Sequence, residues 1–202
     1  VCYVYTLHPA QAPAELRAGL RRYYLREFGI YTRKAELLYQ LAASYSKAGI
    51  DCILLKGAVV RDYYPVPELR TFSDADLVIR TEDREKSDRV MQDLGYLPEV
   101  TWEPTYTYRS EWEYYEIHAK VLEMELPDGA EYSGCFSHIW ECTVPSEAVP
   151  LPHILELDPV IHFLYLLTHI AKHVQGFGAG IRMYLDLAFF LRRFGSSLDW
   201  SR

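Results

Sequence analysis

The sequence predicts an α+β protein in which a small mixed sheet is flanked by helices and followed by a C-terminal helical part. Short apolar runs, such as residues 50–55 and 77–79, are typical of buried strands. Other segments carry apolar residues three and four positions apart, which indicates helices with one buried face. The 202 residues are 50% apolar and 14% aromatic, enough for a sizeable core, so a disordered chain is excluded.

Two helices are expected near the N-terminus, over residues 14–28 and 32–47. The second has a stripe of apolar residues at helical spacing, and Gly49 follows it as a stop signal. The strand at 50–55 comes next. A helix over residues 58–64 is expected to follow, until two prolines interrupt the chain.

The middle of the chain is expected to add a helix and a hairpin. The strand at 77–79 precedes a helix with Thr81 as its N-cap, which ends at Gly95. Residues 105–110 and 111–125 alternate in polarity, so we expect them to pair as antiparallel strands.

The chain divides into four predicted parts: N-terminal helices at 1–48, an α/β core at 49–127, a linker at 128–157 and a C-terminal helical part at 158–202. The linker is proposed because proline, glycine and serine are frequent there. The last part should hold helices at 158–174 and 181–194, the first with Asp158 as N-cap and a proline after it. Because Val1 is not a methionine, one interpretation is a fragment of a longer protein with a truncated helical part.

Charge and composition narrow the possible partners. The formal net charge of -7 argues against duplex DNA, which is bound through an excess of Lys and Arg. No uninterrupted apolar stretch is long enough to span a membrane. The four cysteines form no C-x-x-C pair, and Cys52 lies in an apolar run, so we expect reduced thiols and a cytoplasmic protein.

Two aspartates stand at the start of the second strand, in the stretch TFSDADLVIR. Because residues two apart share one face of a strand, Asp74 and Asp76 should point the same way, about 6.5–7 Å apart along the backbone. Their carboxylates can converge on one divalent cation, and Mg²⁺ prefers carboxylates combined with phosphate oxygens. The simpler alternative is a solvated loop or a helix cap, which is common for an isolated Asp-x-Asp.

Residues upstream of the aspartates suggest a phosphate ligand. Lys56 brings a positive charge to the turn between strand and helix, and Gly57 permits close approach of the backbone. Arg70 can bind phosphate oxygens with its guanidinium fork, and Ser73 can donate a hydroxyl. We therefore predict phosphate binding by Lys56, Gly57, Arg70 and Ser73.

The segment LLKGAVVRDYYPVPELRTFSDADLVI resembles nucleotidyltransferases of the DNA polymerase β-like superfamily. It is most similar to an uncharacterised bacterial nucleotidyltransferase family, and it shares the Lys-Gly…Arg…Asp-x-Asp order with AbiEii-type toxins. Further pieces, YEIHAK, LLTHIAKH and GIRMYLDLAFFLRR, are similar to the His-containing strand and helical tail of that family. The sequence departs from the superfamily in one turn, where Ala58 follows Gly57 in place of the usual serine.

The resemblance implies a nucleotidyltransferase fold and transfer of an NMP from an NTP, such as ATP, to an acceptor hydroxyl with release of pyrophosphate. Mg²⁺ or Mn²⁺ would be held by Asp74, Asp76 and a third carboxylate on a later strand. Glu116 is our candidate in place of the usual aspartate, as a metal ligand or general base. An exposed Glu116 on an edge strand is the alternative. The nucleotide would be bound by Lys56, Gly57, Arg70 and Ser73, and the acceptor could be a small molecule, RNA or protein.

His118, His169, His173 and Arg182 are candidates for a supporting layer around this site. With His162, the two later histidines lie on roughly one face of a helix, so they could simply pack with hydrogen-bonded imidazoles or, less simply, bind zinc. Arg182 could form a local ion pair with Asp186, four residues later, or face the nucleotide. Two other functions stay open: a catalytically degenerate nucleotide-binding or interaction protein, and a metal-dependent phosphohydrolase.

Overall fold

The computed structural model describes residues 13–71, 74–100, 105–119, 136–176 and 178–200. In these residues the helices are α1 Ala14–Ala48, α2 Gly57–Val60, α3 Arg84–Asp93, α4 Pro159–Gln175 and α5 Ile181–Phe194. The strands are β1 Cys52–Leu54, β2 Ala75–Ile79, β3 Leu97–Val100, β4 Thr105–Arg109, β5 Tyr114–His118, β6 Thr143–Pro145 and β7 Ile154–Leu157. The predicted α+β class is confirmed.

One mixed sheet joins these strands in the order β3-β4-β5-β2-β1-β7-β6. Two neighbouring pairs, β2 with β5 and β1 with β7, run parallel, and the remaining pairs are antiparallel. The predicted hairpin of β4 and β5 is confirmed. In the parallel pair at the centre, Asp76 lies opposite Glu116, because the register joins these two Cα positions.

Both faces of the sheet are covered by other elements, so its central strands are shielded from solvent. On one face, Cys52 and Leu54 pack with Leu41 and Tyr45 of α1. On the other, Ile53 and Val78 pack with Leu157 and with Tyr165 of α4. Since side chains alternate along a strand, Asp76 shares the face of Val78 and is directed to the α4 side. All five residues of β2 are buried.

The prediction of two N-terminal helices is wrong, because α1 runs unbroken for 35 residues. Thr32, the expected start of the second helix, donates its hydroxyl to the carbonyl oxygen of Phe28 at 3.0 Å and so acts as an interior residue. Gly29 costs a helix interior only about 1 kcal/mol, which does not break it. Gly49 ends the helix in the left-handed region at φ 66°, as expected.

The segment proposed as a linker contributes to the sheet. Its described residues include β6 and β7, and β7 pairs directly with β1 through the positions Cys52–Ile154 and Ile53–Leu155. No local signal marks this pairing, since 102 residues separate the two partners in each pair. The division of the chain into four parts stays a prediction.

The predictions for the chain's two last helices are confirmed, and one prediction of a cap is wrong. Asp158 caps α4 by accepting hydrogen bonds from the backbone amides of Val160 and Ile161, and α5 has the expected bounds. Thr81 is not an N-cap, because it begins a short 3₁₀ turn that ends at Asp83 and leads into α3. The two thiols in the described residues are both free, and that of Cys52 is buried. No helix in the described part of the chain has the length and apolar character that crossing a bilayer requires.

Candidate active site

The centre of the site is a group of polar side chains on the two parallel strands β2 and β5. Asp76, Glu116 and His118 each offer a ligand atom, and these atoms lie within 4.8 Å of one another. His118 Nε2 is 3.2 Å from Asp76 Oδ1 and 3.8 Å from Glu116 Oε2. On its other side, the imidazole Nδ1 is 3.0 Å from the hydroxyl of Thr105, which fixes the ring orientation. The structure therefore brings the candidate third carboxylate next to Asp76.

The alternation predicted for β5 explains this arrangement. Tyr115 and Ile117 are buried on the α1 side, while Glu116 and His118 lie on the opposite face with intermediate exposure. β5 lies between β4 and β2, so Glu116 is not on an edge strand, and the edge-strand alternative is wrong. A carboxylate on a central strand has little conformational freedom, because the strand is fixed by its neighbours on both sides.

Lys56 is held over the aspartate by an unusual backbone conformation. Its φ of 46° and ψ of -121° are rarely adopted by residues with a Cβ. From this position Lys56 Nζ donates to Asp76 Oδ1 at 2.5 Å. Gly57, buried directly after it, begins α2. Strained residues of this kind concentrate at ligand-binding and catalytic sites, so the conformation indicates a functional role.

Charges in this group shift one another's pKa in opposite directions. Burial would raise the pKa of Asp76, but the hydrogen bond from His118 and the charge and hydrogen bond of Lys56 together lower it below its ordinary value. The pKa of Glu116 is raised, first by burial and then by repulsion from Asp76 and Asp74. Two carboxylates in neighbouring positions thus differ in proton affinity, and Glu116 is the better proton acceptor.

Arg70 lies at the site and pairs with Asp186, the carboxylate that was expected to pair with Arg182. Its Nε and Nη2 donate to Asp186 Oδ1 and Oδ2 at 3.1 and 2.6 Å, and Tyr64 donates to the same carboxylate at 2.6 Å. The predicted Arg182–Asp186 ion pair is therefore wrong. Arg182 instead donates to the backbone carbonyl of Thr71 at 2.8 Å. Arg70 and Asp186 are far apart in sequence, so no spacing could have predicted their pairing.

The three histidines of α4 occupy two environments. His162 is buried near Phe190 and Tyr63, and its Nε2 has no hydrogen-bond partner, so the expectation of hydrogen-bonded imidazoles fails at this nitrogen. His169 stacks near Tyr165, with ring centroids 6.2 Å apart, and meets His173 edge-to-face at 4.6 Å. Burial, followed by the charge of Lys56, lowers the pKa of His169 to about 3 and also lowers that of His173.

A cleft of about 370 Å³ joins these groups. The predicted site residues that line it are Lys56, Gly57, Arg70, Asp74, Asp76, Glu116, His169, His173 and Arg182. His118 reaches the cleft through its contacts with Asp76 and Glu116. Ser73 lies outside the described residues. Sequence analysis missed Lys172, which also lines the cleft. Its position three residues after His169 and one before His173 could have placed it on the same helix face.

The donor atoms fit a divalent cation. Mg²⁺ and Mn²⁺ prefer carboxylate oxygens, and three acidic side chains, Asp74, Asp76 and Glu116, line the cleft together. Asp76 already accepts a hydrogen bond from the Lys56 ammonium and contacts the His118 imidazole. Among the described residues, the side chains that could hold a metal ion together are Asp76, Glu116 and His118, with no histidine of α4, so the zinc interpretation for the helix has less support.

Comparison with known proteins identifies relatives. A family profile described as "Uncharacterised nucleotidyltransferase" matches residues 3–202. No curated protein sequence matches the chain. The solution structure of the antibiotic-resistance factor ANT(2'')-Ia is similar, with a TM-score of 0.60 at 10% identity, over 82% of this chain and 86% of that one. Its crystal structure in complex with adenylyl-2''-tobramycin has a TM-score of 0.58 at 13% identity, over 81% and 91%.

A third solved structure, the lincomycin-bound lincosamide antibiotic adenylyltransferase LnuA, has a TM-score of 0.51. It is 19% identical and covers 77% of this chain and 94% of its own. At these identities the likeness concerns the fold alone. It confirms the nucleotidyltransferase fold that the sequence resemblance implied.

Proposed function

The chain belongs to this family of uncharacterised nucleotidyltransferases, and from that premise we propose that it moves an NMP from an NTP to the hydroxyl of a small molecule. The observation that carries the proposal is the Asp76–Glu116 pair across two parallel central strands, in one cleft with Asp74 and Lys56. The small-molecule class is supported by similarity in fold to an enzyme with adenylyl-2''-tobramycin and to one with lincomycin.

Asp74, Asp76 and Glu116 would hold Mg²⁺ or Mn²⁺. When bound, such a cation neutralises charge that develops on phosphate oxygens. Lys56 adds a fixed positive charge on the same side, and the strained backbone keeps it there. Arg182 lines the same cleft and supplies a further cation for the triphosphate.

Glu116 takes the proton of the acceptor hydroxyl. As that proton leaves, the hydroxyl oxygen forms a bond to the α-phosphorus, and the bond from this phosphorus to the bridging oxygen breaks, so that pyrophosphate departs. Burial, the largest cause of the raised pKa of Glu116, favours this role. His118, held by Thr105 and Asp76, orients the two carboxylates.

Arg70 has a positioning role in this proposal. Its buried guanidinium donates to Asp186, which also accepts a hydrogen bond from Tyr64, so Arg70 links the chain before the two aspartates to α5. Arg70 lies four residues before Asp74 in the sequence. Anchoring the chain at Arg70 would keep Asp74 and Asp76 in register with Glu116.

The experiment is a transfer assay with α-labelled NTPs, a panel of hydroxylated small molecules, and Mg²⁺ or Mn²⁺. We expect pyrophosphate release together with a labelled acceptor, and loss of both on chelation. Asp76→Asn and Glu116→Gln should lower turnover by a factor of 10³ or about that order, as removal of a positioned catalytic group does. The matched control is Asp93→Asn, an exposed aspartate on α3, which should retain full activity.

Three results would contradict the proposal. Phosphate release without a labelled acceptor would indicate a phosphohydrolase. NTP binding without any turnover would indicate a degenerate relative. Full activity in Asp76→Asn would exclude the metal role of this carboxylate.

A further inference from the structure

A second cleft lies beside the active site, between the N-terminal half of α1 and the start of α5. We call it the α1–α5 cleft; its volume is about 670 Å³. The residues used below are Leu20, Tyr23 and Glu27 of α1 and Ile181, Leu185 and Phe189 of α5. Its walls are mainly apolar, and Ile181 leaves 75% of its surface exposed.

The two clefts share a boundary. Arg70 and Arg182 line both of them, so a molecule in the α1–α5 cleft reaches the active site past these two side chains. Each arginine is fixed there, Arg70 by Asp186 and Arg182 by the carbonyl of Thr71. An elongated ligand could therefore place one end in the α1–α5 cleft and the other beside Glu116.

Glu27 is the unusual residue of the α1–α5 cleft. Only 9% of the residue is exposed, and its acidic side chain lines a cleft whose walls are mainly apolar. Covering a carboxylate with a ligand is costly unless the ligand brings a donor or a positive charge to it, so Glu27 favours a cationic group in this cleft. Neither the sheet nor α3 needs this carboxylate, since other residues of α1 pack against them.

Resting on the proposed function, we propose that the α1–α5 cleft binds the acceptor, and that this acceptor is an amine. Its apolar or aromatic part contacts Leu20, Leu185 and Phe189, and its protonated amine donates to Glu27. Its hydroxyl then extends past Arg182 toward Glu116. The charge complementarity selects an ammonium over a neutral group, because a charge-assisted hydrogen bond in an apolar setting is among the strongest available.

The experiment measures binding without NTP or metal, so that catalysis is not required. The probes are a panel of hydroxylated primary amines that carry an aromatic or alicyclic group, each with its N-acetylated counterpart. Affinity is measured by isothermal titration and by the shift in Tm. The variant is Glu27→Gln, which keeps the shape and removes the charge. The matched control is Glu15→Gln, an exposed glutamate in the first turn of the same helix.

We expect amine probes to bind wild type and Glu15→Gln equally, and their N-acetylated counterparts to bind at least about tenfold more weakly. Glu27→Gln should lower amine affinity by the same factor while ATP affinity stays unchanged. Its Tm without ligand should equal that of wild type, since the substitution keeps the size and shape of a side chain that lines the cleft. A purely structural role of Glu27 would instead lower the Tm.

Several results would overturn the inference. These are equal binding of amines and N-acetylated probes, unchanged amine binding in Glu27→Gln, or no binding by any member of the panel. Failure of the proposed function gives a different result: amines bind through Glu27, yet no nucleotide is transferred to them. Conversely, transfer to a hydroxyl compound without an amine, at equal rates in wild type and Glu27→Gln, keeps the proposed function and ends this inference.

Discussion

Two groups of charged side chains lie in one cleft, and they differ in how fully their charges are paired. The first joins Arg70, Asp186 and Tyr64, in which the carboxylate accepts three hydrogen bonds and both charged side chains are buried. The second joins Asp76, Lys56 and His118 beside Glu116, with a strained lysine and a second carboxylate of raised pKa. The first has its hydrogen bonds satisfied internally. The second retains excess acidic groups and can exchange its partners for a ligand.

The difference indicates how an ion pair that stabilises the fold can be distinguished from one that can open to bind a ligand. A planar guanidinium that meets a carboxylate with two parallel hydrogen bonds is specific and rigid, so it suits a link between two elements. A lysine is a compact charge on a flexible chain, and its contact with Asp76 can be released when another cation or a phosphate arrives. The same substitution in the two groups should therefore affect different properties.

The largest predicted effect compares Asp186→Asn with Asp76→Asn. Asp186→Asn leaves the buried Arg70 without its counter-charge, and should lower the free energy of unfolding by about 3–5 kcal/mol. Asp76→Asn should lower it by less, about 1–3 kcal/mol, because its partners Lys56 and His118 are partly exposed and can turn to solvent or to Glu116. Chemical denaturation measures both. Equal destabilisation by the two variants would remove the distinction between the groups.

A smaller effect concerns His162, which lies near the group formed by Arg70, Asp186 and Tyr64. Burial lowers its pKa to about 4, while the charge of Asp186 acts in the opposite direction. The unfolded chain takes up a proton below about pH 6.5, and the folded chain does so only near pH 4, so stability falls as the pH drops through this window. The loss is at most about 3 kcal/mol.

His162→Phe should reduce this pH dependence, and the part that remains is expected from His169 and His173, whose pKa values are lowered as well. Denaturation curves between pH 7 and pH 4 measure the difference from wild type. The control is His138→Gln, at an exposed histidine, which should leave the slope as in wild type. A slope in His162→Phe equal to that of wild type would show that this imidazole does not contribute to the pH dependence.

The smallest effect concerns the strain at Lys56. Its φ and ψ favour glycine, so Lys56→Gly should be about 1 kcal/mol more stable than Lys56→Ala, although both lose the contact with Asp76. Both variants should bind ATP more weakly than wild type to a similar extent. Thermal denaturation and isothermal titration test the two statements. A more stable alanine variant would mean that the backbone at this position is not strained.

The sequence by itself determined the elements whose signals are local. Alternation along β5 put Glu116 and His118 on the face opposite Ile117, and the apolar run after Asp76 indicated a buried strand. The Asp158 cap and the proline after it marked the start of α4. These predictions succeeded because the alternation of side chains along a strand, helix capping and proline geometry each depend on only a few neighbouring residues.

Only the tertiary structure decided which distant residues meet. It paired Arg70 with Asp186 across 116 positions, inserted β7 beside β1, and put a cleft lined by Glu27 next to the active site. It also kept α1 continuous, where local signals suggested a break. Such outcomes depend on the packing of whole elements and on the pairing of charges that water would otherwise solvate. No spacing in the sequence encodes them, because the partners are chosen by the fold as a whole.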